Sequence, residues 1–130
     1  MQSAMAVRSL VSVVDDDESV RESLPDLLKA MGFESRAFSS AEAFLASDGL
    51  DQTRLLILDI AMPGMSGPDL QRELTRRREQ IPIVFITAQR DEAVRSRLLQ
   101  SGAAACLFKP FSDTALLEAI EAALRGGKGP

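Results

Sequence analysis

The feature that most constrains the fold is an alternation of short apolar runs with segments of helical periodicity along nearly the whole chain. The apolar runs predict five strands, at Leu10–Val14, Phe33–Phe38, Leu55–Leu58, Ile83–Ile86 and Cys106–Phe108. A segment typical of a helix follows each run. Such strand–helix repeats are typical of a parallel sheet with helices on both faces. The sequence therefore predicts an α/β fold, a (βα)5 doubly wound parallel five-stranded sheet.

The first predicted helix, residues 18–31, illustrates the pattern. Val20, Leu24 and Leu28 recur on one face of a 3.6-residue period, and Gly32 follows where a left-handed C-cap is expected. Pro25 conflicts with this pattern, because an interior proline removes a backbone hydrogen bond. We expect it to kink or delay the helix. The other helices are predicted at residues 40–46, 68–78, 92–101 and 113–124.

The 130 residues, 45% of them apolar, match a single domain with one proper core. We expect residues 1–8 to be a disordered N-terminal extension, residues 9–125 to form the folded domain, and residues 126–130 to be a linker or C-terminal tail. The chain lacks an uncharged apolar stretch of roughly 18 residues and a secretory signal pattern. A cytoplasmic location without membrane association is therefore expected.

Charge and residue usage exclude several classes of function. A net charge of −4 argues against direct binding of nucleic acid by this domain, which would need a basic face. The basic run at 76–78 is interpreted as the solvated end of a helix. One cysteine and no histidine exclude an internal disulfide, a zinc site of the usual type, and histidine-assisted nucleophilic catalysis. Any bound metal should be a hard, oxygen-preferring cation.

Polar side chains stand where the predicted strands end. Asp15 and Asp16 follow the first strand, Asp59 the third, Thr87 the fourth and Lys109 the fifth. Because the carboxyl ends of parallel strands meet at one edge of the sheet, these residues should converge on one crevice. Carboxylates gathered there need positive charge, which Mg²⁺ and Lys109 can supply.

Each of these residues also has an ordinary structural interpretation. The acidic run could simply cap the first helix, a part that suits Asp17 and Glu18. Asp59 could be a turn aspartate, Thr87 a β-branched strand residue and Lys109 a surface lysine. The combination of residues is far more specific than any one of them.

Four segments, LVSVVDDDESVR, LLILDIAMPGMSG, VFITA and FKPF, resemble the signatures of response-regulator receivers of two-component signalling (the CheY-like superfamily). The resemblance covers about Leu10 to Leu124. The MPGMSG and ITAQ segments are most similar to FixJ-like regulators, which usually carry a LuxR-type helix-turn-helix after the receiver. The resemblance implies the flavodoxin-like strand order 2-1-3-4-5.

The resemblance further implies how the acidic residues act. Asp59 is the implied phosphoacceptor, in a reaction by which the domain catalyses its own phosphorylation and dephosphorylation. Asp15, Asp16, Asp59 and the backbone carbonyl of Ala61 are the implied ligands of Mg²⁺, which Mn²⁺ can replace.

The remaining implied residues concern the switch. Thr87 would bind the phosphoryl oxygens, Lys109 would pair with Asp59 or its phosphate, and the peptide before Pro110 would be cis. Receivers usually have Tyr or Phe three residues before the lysine, where this chain has Cys106. We interpret Cys106 as a small buried strand residue, and Phe108, on the same side of the strand, as its partial replacement.

The implied partner is a sensor histidine kinase, since this chain has no histidine of its own to donate phosphate. A homodimer through the face of the fourth helix, fifth strand and fifth helix, and transcription regulation through an output domain outside this chain, are also implied. Two alternatives stay open: a Mg²⁺-dependent aspartyl-phosphate phosphohydrolase and a binding-only degenerate receiver. Such hydrolases typically carry a second acid at the position of Ala61, and the complete acidic set disfavours the binding-only form.

Overall fold

The structure, a computed structural model, describes residues 9–126, so the predicted extension at 1–8 and residues 127–130 of the predicted tail lie outside the described residues. The strands are β1 (Leu10–Val14), β2 (Glu34–Phe38), β3 (Thr53–Asp59), β4 (Ile83–Thr87) and β5 (Ala105–Phe108). The helices are α1 (Glu18–Ala30), α2 (Ala41–Ala46), α3 (Gly67–Arg76), α4 (Glu92–Gln100) and α5 (Asp113–Gly126). One 3-10 turn, Leu50–Gln52, precedes β3.

The five strands form one parallel sheet in the order β2-β1-β3-β4-β5, which confirms the predicted architecture and order. β1 and β4 are buried throughout and β3 almost throughout. For β3 and β4 this burial is what the uninterrupted apolar runs at residues 55–58 and 83–86 predict. β2 lies at one edge and is mostly exposed or half-buried. The strand order reverses between β1 and β3, so a crevice opens at their carboxyl ends.

Each face of the sheet is covered by its own apolar cluster. Successive strand residues point to opposite faces, so Leu58 packs with Phe44 and Leu70 beneath α2 and α3, whereas Ile57 packs with Leu28 on the α1 and α5 side. These side chains are fully buried. Each contributes about 1.5–3 kcal/mol of hydrophobic stabilisation, and together they fix the sheet edge on which the polar residues stand.

Local caps explain where the helices begin. Asp17 is the N-cap of α1 and accepts a hydrogen bond from the Ser19 backbone N–H at 2.9 Å, as expected for the capping part of the acidic run. Ser40 caps α2 in the same way.

α1 begins at Glu18 and runs through Pro25 to its end, so this proline does not delay the helix. The cap and the buried stripe of α1 outweigh the lost backbone bond.

The basic run lies at an exposed helix end, as interpreted from the sequence. Arg76 is the last residue of α3 and Arg77 its C-cap, and both guanidinium groups pair with Glu73. Arg78 follows with a positive φ of 63°. Within residues 9–126, the helices are too short or too polar to cross a membrane.

Candidate functional site

Three carboxylates meet at the carboxyl end of the sheet. β1 and β3 are neighbours with Val14 opposite Leu58, which brings the residues that follow them side by side. Oxygen atoms of Asp15, Asp16 and Asp59 lie within 4.8 Å of one another. Asp15 is fully buried, Asp59 is 6% exposed, and Asp16 is exposed at the rim. The cluster is thus a half-enclosed acidic pocket.

Lys109 supplies the positive charge inside this pocket. Its Nζ donates a hydrogen bond to Asp15 Oδ2 at 2.9 Å and lies 3.7 Å from Asp59 Oδ1. Its backbone N–H donates to the Thr87 carbonyl at 2.7 Å, which fixes the start of the side chain. The Lys109–Pro110 peptide is cis, as the resemblance implies.

The protonation of Lys109 follows from its neighbours. Burial by itself would lower the pKa of the ammonium, but the hydrogen bond from Lys109 to Asp15 and the charge of Asp59 outweigh burial and raise that pKa. The side chain is 20% exposed. Lys109 therefore stays cationic at neutral pH.

Asp15 is held by hydrogen bonds to both its carboxylate and its backbone carbonyl. Its Oδ1 accepts a hydrogen bond from the Asp17 backbone N–H at 2.9 Å, while Oδ2 accepts from Lys109. Arg21 of α1 donates through Nη1 to the Asp15 backbone carbonyl at 3.0 Å. These bonds leave Asp15 little freedom to rotate.

Asp59 has the most perturbed acidity in the pocket. Burial, followed by the negative charge of Asp15, raises the pKa of Asp59 to about 7, and Lys109 opposes the rise only in part. Three carboxylates facing one ammonium leave the site short of positive charge. Oxygen ligands without histidine or cysteine fit a hard divalent cation such as Mg²⁺.

The loop after Asp59 approaches the strand end very closely. A Cβ atom on Gly67 would lie 2.3 Å from the Asp59 carbonyl oxygen, and the Gly67 backbone N–H donates to the Ile60 carbonyl at 2.9 Å. Only glycine fits this approach. Met62 is buried in the core, while Ala61, two residues after Asp59, is exposed.

Thr87 ends β4 beside the pocket and is 6% exposed. Its Oγ1 accepts a hydrogen bond from the Gln89 backbone N–H at 3.1 Å, so the hydroxyl is tied to the loop before α4. In the β4–β5 pairing Thr87 stands opposite Phe108. Thr87 is thus linked both to the loop before α4 and to β5.

Cys106 is buried, as expected for a small strand residue, and burial raises the pKa of its thiol. Phe108 is half-buried under two guanidinium groups. The Cζ atoms of Arg90 and Arg95 lie 5.5 Å and 5.9 Å from the ring centroid, within range of cation–π attraction. Arg95 Nε also donates to the Cys106 carbonyl at 3.2 Å.

Three residues of this region, Arg21, Arg90 and Arg95, were not predicted from the sequence. The two arginines at Phe108 come from the loop before α4 and from α4 itself. The positions of these two arginines match no sequence motif, and arginine is common on exposed loops and helices. Gly67 belongs to the MPGMSG segment, whose glycines are expected to permit tight turns beside the site, but its close contact with the Asp59 carbonyl was not predicted.

Residues 11–121 match the family model of the response regulator receiver domain. The chain belongs to this family. A receiver is the phosphoryl-accepting switch of a two-component response regulator; receivers interact with histidine kinases and generally use Mg²⁺ at the acidic pocket.

Individual relatives agree with this membership. Nodulation protein W of Bradyrhizobium diazoefficiens is 44% identical over 118 residues, which are 91% of this chain and 52% of that protein. The transcriptional regulatory protein FixJ of Rhizobium meliloti is 41% identical over 113 residues, or 87% of this chain and 55% of that protein. The chain spans about half the length of these relatives.

Solved receivers have the same fold. The crystal structure titled FixJ-N superposes with a TM-score of 0.81 at 38% identity, covering 96% of each chain. The structure of response regulator StyR gives a TM-score of 0.84 at 47% identity, covering 94% of this chain and 62% of the other. Both are similar to this receiver over nearly all of its length.

Proposed function

We propose that Asp59 accepts a phosphoryl group from a sensor histidine kinase in a Mg²⁺-dependent reaction that this receiver itself catalyses. The observation that carries the proposal is the position of the Asp59 carboxyl group. It lies beside Asp15 and Asp16, within 3.7 Å of Lys109, in a pocket that raises its pKa to about 7. A nucleophilic carboxylate next to a fixed cationic group suits phosphoryl transfer.

In the proposed reaction a carboxylate oxygen of Asp59 attacks phosphorus in line with the leaving imidazole of the kinase. A P–O bond forms, the P–N bond breaks, and the imidazole takes up a proton as it leaves. Lys109 offsets the charge on the phosphoryl oxygens. Mg²⁺, when bound, neutralises further charge on these oxygens and favours the ionised form of Asp59.

The metal would be held by oxygen atoms of this chain. The proposed ligands are carboxylates of Asp15, Asp16 and Asp59 together with the Ala61 carbonyl. Asp15 is already oriented by its own hydrogen bonds, and Asp16 stands at the open rim. This arrangement leaves room for water and for a phosphoryl oxygen, which Mg²⁺ prefers. Mn²⁺, another oxygen-preferring cation, should substitute.

The proposed switch runs from Thr87 to Phe108. The Thr87 hydroxyl would leave Gln89 and bind a phosphoryl oxygen, drawing the loop that carries Arg90 toward the pocket. Because Phe108 stands opposite Thr87 and under Arg90 and Arg95, its contacts would change with the loop.

The proposed switch does not require an aromatic side chain at position 106. Cys106 has no ring to move, whereas Arg95 bonds the Cys106 carbonyl and contacts the Phe108 ring at once. Pro110, directly after Lys109, begins the segment that leads into α5. We propose that phosphorylation thereby alters the α4-β5-α5 face, and that the altered face forms a homodimer.

The test is to incubate the chain with Mg²⁺ and acetyl phosphate and to measure its intact mass. We expect a stable gain of one phosphate, absent in Asp59→Asn and retained in the matched control Asp51→Asn, an exposed aspartate outside the pocket. No adduct with any donor would favour the binding-only receiver. Rapid multiple-turnover release of phosphate would favour the phosphohydrolase.

The output is a separate part of the proposal. The chain spans about half the length of two relatives that are named transcriptional regulatory proteins. We propose that this receiver acts on an output domain that regulates transcription. Analytical ultracentrifugation with beryllofluoride, a stable mimic of the phosphoryl group, tests dimer formation, and expression of the full gene product tests the output.

A further inference from the structure

The loop between Asp59 and α3 has an anchor outside the acidic pocket. Glu42, in the first turn of α2, accepts a hydrogen bond at Oε2 from the Met65 backbone N–H, 3.0 Å away. We infer that Glu42 is a positioning residue for the metal site, because it holds the loop that carries the Ala61 carbonyl. The inference rests on the function proposed above.

The other backbone hydrogen bonds of this loop lie near its ends. Ile60 N–H donates to the Ile86 carbonyl at 3.2 Å, and Gly67 N–H donates to the Ile60 carbonyl at 2.9 Å. In the part of the chain that the structure describes, the bond from Met65 to Glu42 is the one that reaches the backbone of residues 61–65. The middle of the loop is therefore held by Glu42 and by apolar side chains.

The loop backbone also lies directly against the Glu42 carboxylate. Gly64 has a φ of +75°, and a Cβ atom there would lie 2.8 Å from Glu42 Oε2. Gly64 thus both permits the turn and leaves room for the carboxylate. The side chain of Met62, two residues before Gly64, is buried in the core. The buried Met62 side chain and the hydrogen bond to Glu42 together define the path of the loop.

The path of the loop affects the backbone carbonyl ligand of the proposed metal site more than the carboxylate ligands. The Asp15 and Asp59 side chains are oriented by the sheet and by Lys109, whereas the direction of the Ala61 carbonyl depends on the path of the loop. Groups that hold a metal ligand in place commonly change metal affinity when they are removed. The hydrogen bond by which Glu42 holds the loop joins residues 23 positions apart in sequence.

The test compares Glu42→Ala, Glu42→Gln and the matched control Glu118→Ala, which removes an exposed carboxylate from α5. Mg²⁺ affinity is measured by calorimetry on the whole chain, which has no Trp or Tyr to serve as a fluorescent reporter. We expect roughly tenfold weaker binding in Glu42→Ala, at the low end for such outer groups. Glu118→Ala should match the unsubstituted chain.

The glutamine variant separates the hydrogen bond from the charge. Its side-chain carbonyl can still accept from Met65, so Glu42→Gln should bind Mg²⁺ within about twofold of the unsubstituted chain. Hydrogen exchange of the Met65 amide in metal-free protein gives a second readout. Exchange should be faster in Glu42→Ala and nearly unchanged in Glu42→Gln.

The outcomes separate this inference from the proposed function. If the unsubstituted chain binds Mg²⁺ and takes up phosphate while Glu42→Ala binds Mg²⁺ equally well, the positioning role is wrong and the function stands. Equal losses in the alanine and glutamine variants would assign the effect to charge and also overturn it. If the unsubstituted chain neither binds Mg²⁺ nor accepts phosphate, the proposed function fails and the inference falls with it.

Discussion

Lys109 Nζ donates a hydrogen bond of 2.9 Å to Asp15 Oδ2, although the family resemblance implies Asp59 or its phosphate as the partner of this lysine. Asp59 Oδ1 is 3.7 Å from the same ammonium. Asp15 is fully buried, so it depends most on a fixed partner. Lys109 thus bonds Asp15 directly, and it lies close enough to Asp59 to contact the phosphoryl group that we propose there.

Replacing Lys109 by Met tests this dependence. The substitution leaves the pocket carboxylates without their cation, so we expect the free energy of unfolding to fall by about 3 kcal/mol at pH 8 in the absence of metal, the low end for a buried pair that loses one partner. The loss should be smaller at pH 5, where carboxyl groups can protonate, and Mg²⁺ should reverse part of it. Urea denaturation at the two pH values measures both effects. The exposed Lys29→Met is the control, and an equal loss there would contradict the prediction.

Asp59→Asn should change how stability depends on pH. The pKa of Asp59 is raised from 3.8 to about 7, so between these values the folded state keeps a proton that the unfolded chain has released. The contribution of this group is therefore present below about pH 4 and is lost as pH rises through 7.

Without metal, Asp59→Asn should be more stable than the unsubstituted chain at pH 8. The gain should be on the order of 2 kcal/mol, since a tenfold change in proton affinity is worth about 1.4 kcal/mol and solvent at the rim reduces the total. The two proteins should be nearly equal at pH 4. Denaturant titrations across this range provide the measurement, and a difference independent of pH would contradict it.

Gly67→Ala should distort the strand end that carries Asp59. The new methyl group would lie 2.3 Å from the Asp59 carbonyl oxygen, a backbone atom that cannot rotate away. We expect a loss of about 2–3 kcal/mol in the free energy of unfolding, in the range for overpacking, together with weaker Mg²⁺ binding. Thermal and urea unfolding measure the first effect and calorimetry the second.

Gly126→Ala serves as the matched control for that substitution, because a Cβ atom there meets nothing within 4 Å. It lies at the end of α5, where alanine should be neutral or slightly stabilising. A Gly67→Ala protein as stable as Gly126→Ala would mean that the loop can move aside without cost.

Phe108→Leu should separate phosphorylation from the response of α4. Loss of the ring removes two cation–π contacts, each worth roughly 0.5–1 kcal/mol at a partly exposed site, so we expect a stability loss of about 1–2 kcal/mol. The variant should still bind beryllofluoride at Asp59. The changes in amide chemical shift of Arg90 and Arg95 on beryllofluoride binding, measured by NMR, should be smaller than in the unsubstituted chain.

The control for the ring is Phe33→Leu, a half-buried phenylalanine that packs on the α1 and α5 side of the sheet. It should keep the full response at α4. If Phe108→Leu keeps the same response as Phe33→Leu, the route through Phe108 is excluded.

Much of the fold was predictable because its signals are local. The apolar runs predicted the strands, including the buried β3 and β4, and Gly32 marked the end of α1. The same locality identified the candidate site, since the polar residues directly follow strands. The prediction that Pro25 delays α1 was wrong, because the cost of one lost backbone bond is outweighed by burial that depends on the tertiary structure.

The sequence by itself determined which chemical groups reach the carboxyl edge of the sheet, because strand ends and strand order place Asp15, Asp59 and Lys109 there. Only the tertiary structure decided which carboxylate Lys109 bonds, because that choice depends on side-chain paths across several strands. The contact of Glu42 with the loop after Asp59 was decided in the same way. Such contacts join residues far apart in sequence, and only the packing of strands and helices in the folded domain brings them within bonding distance.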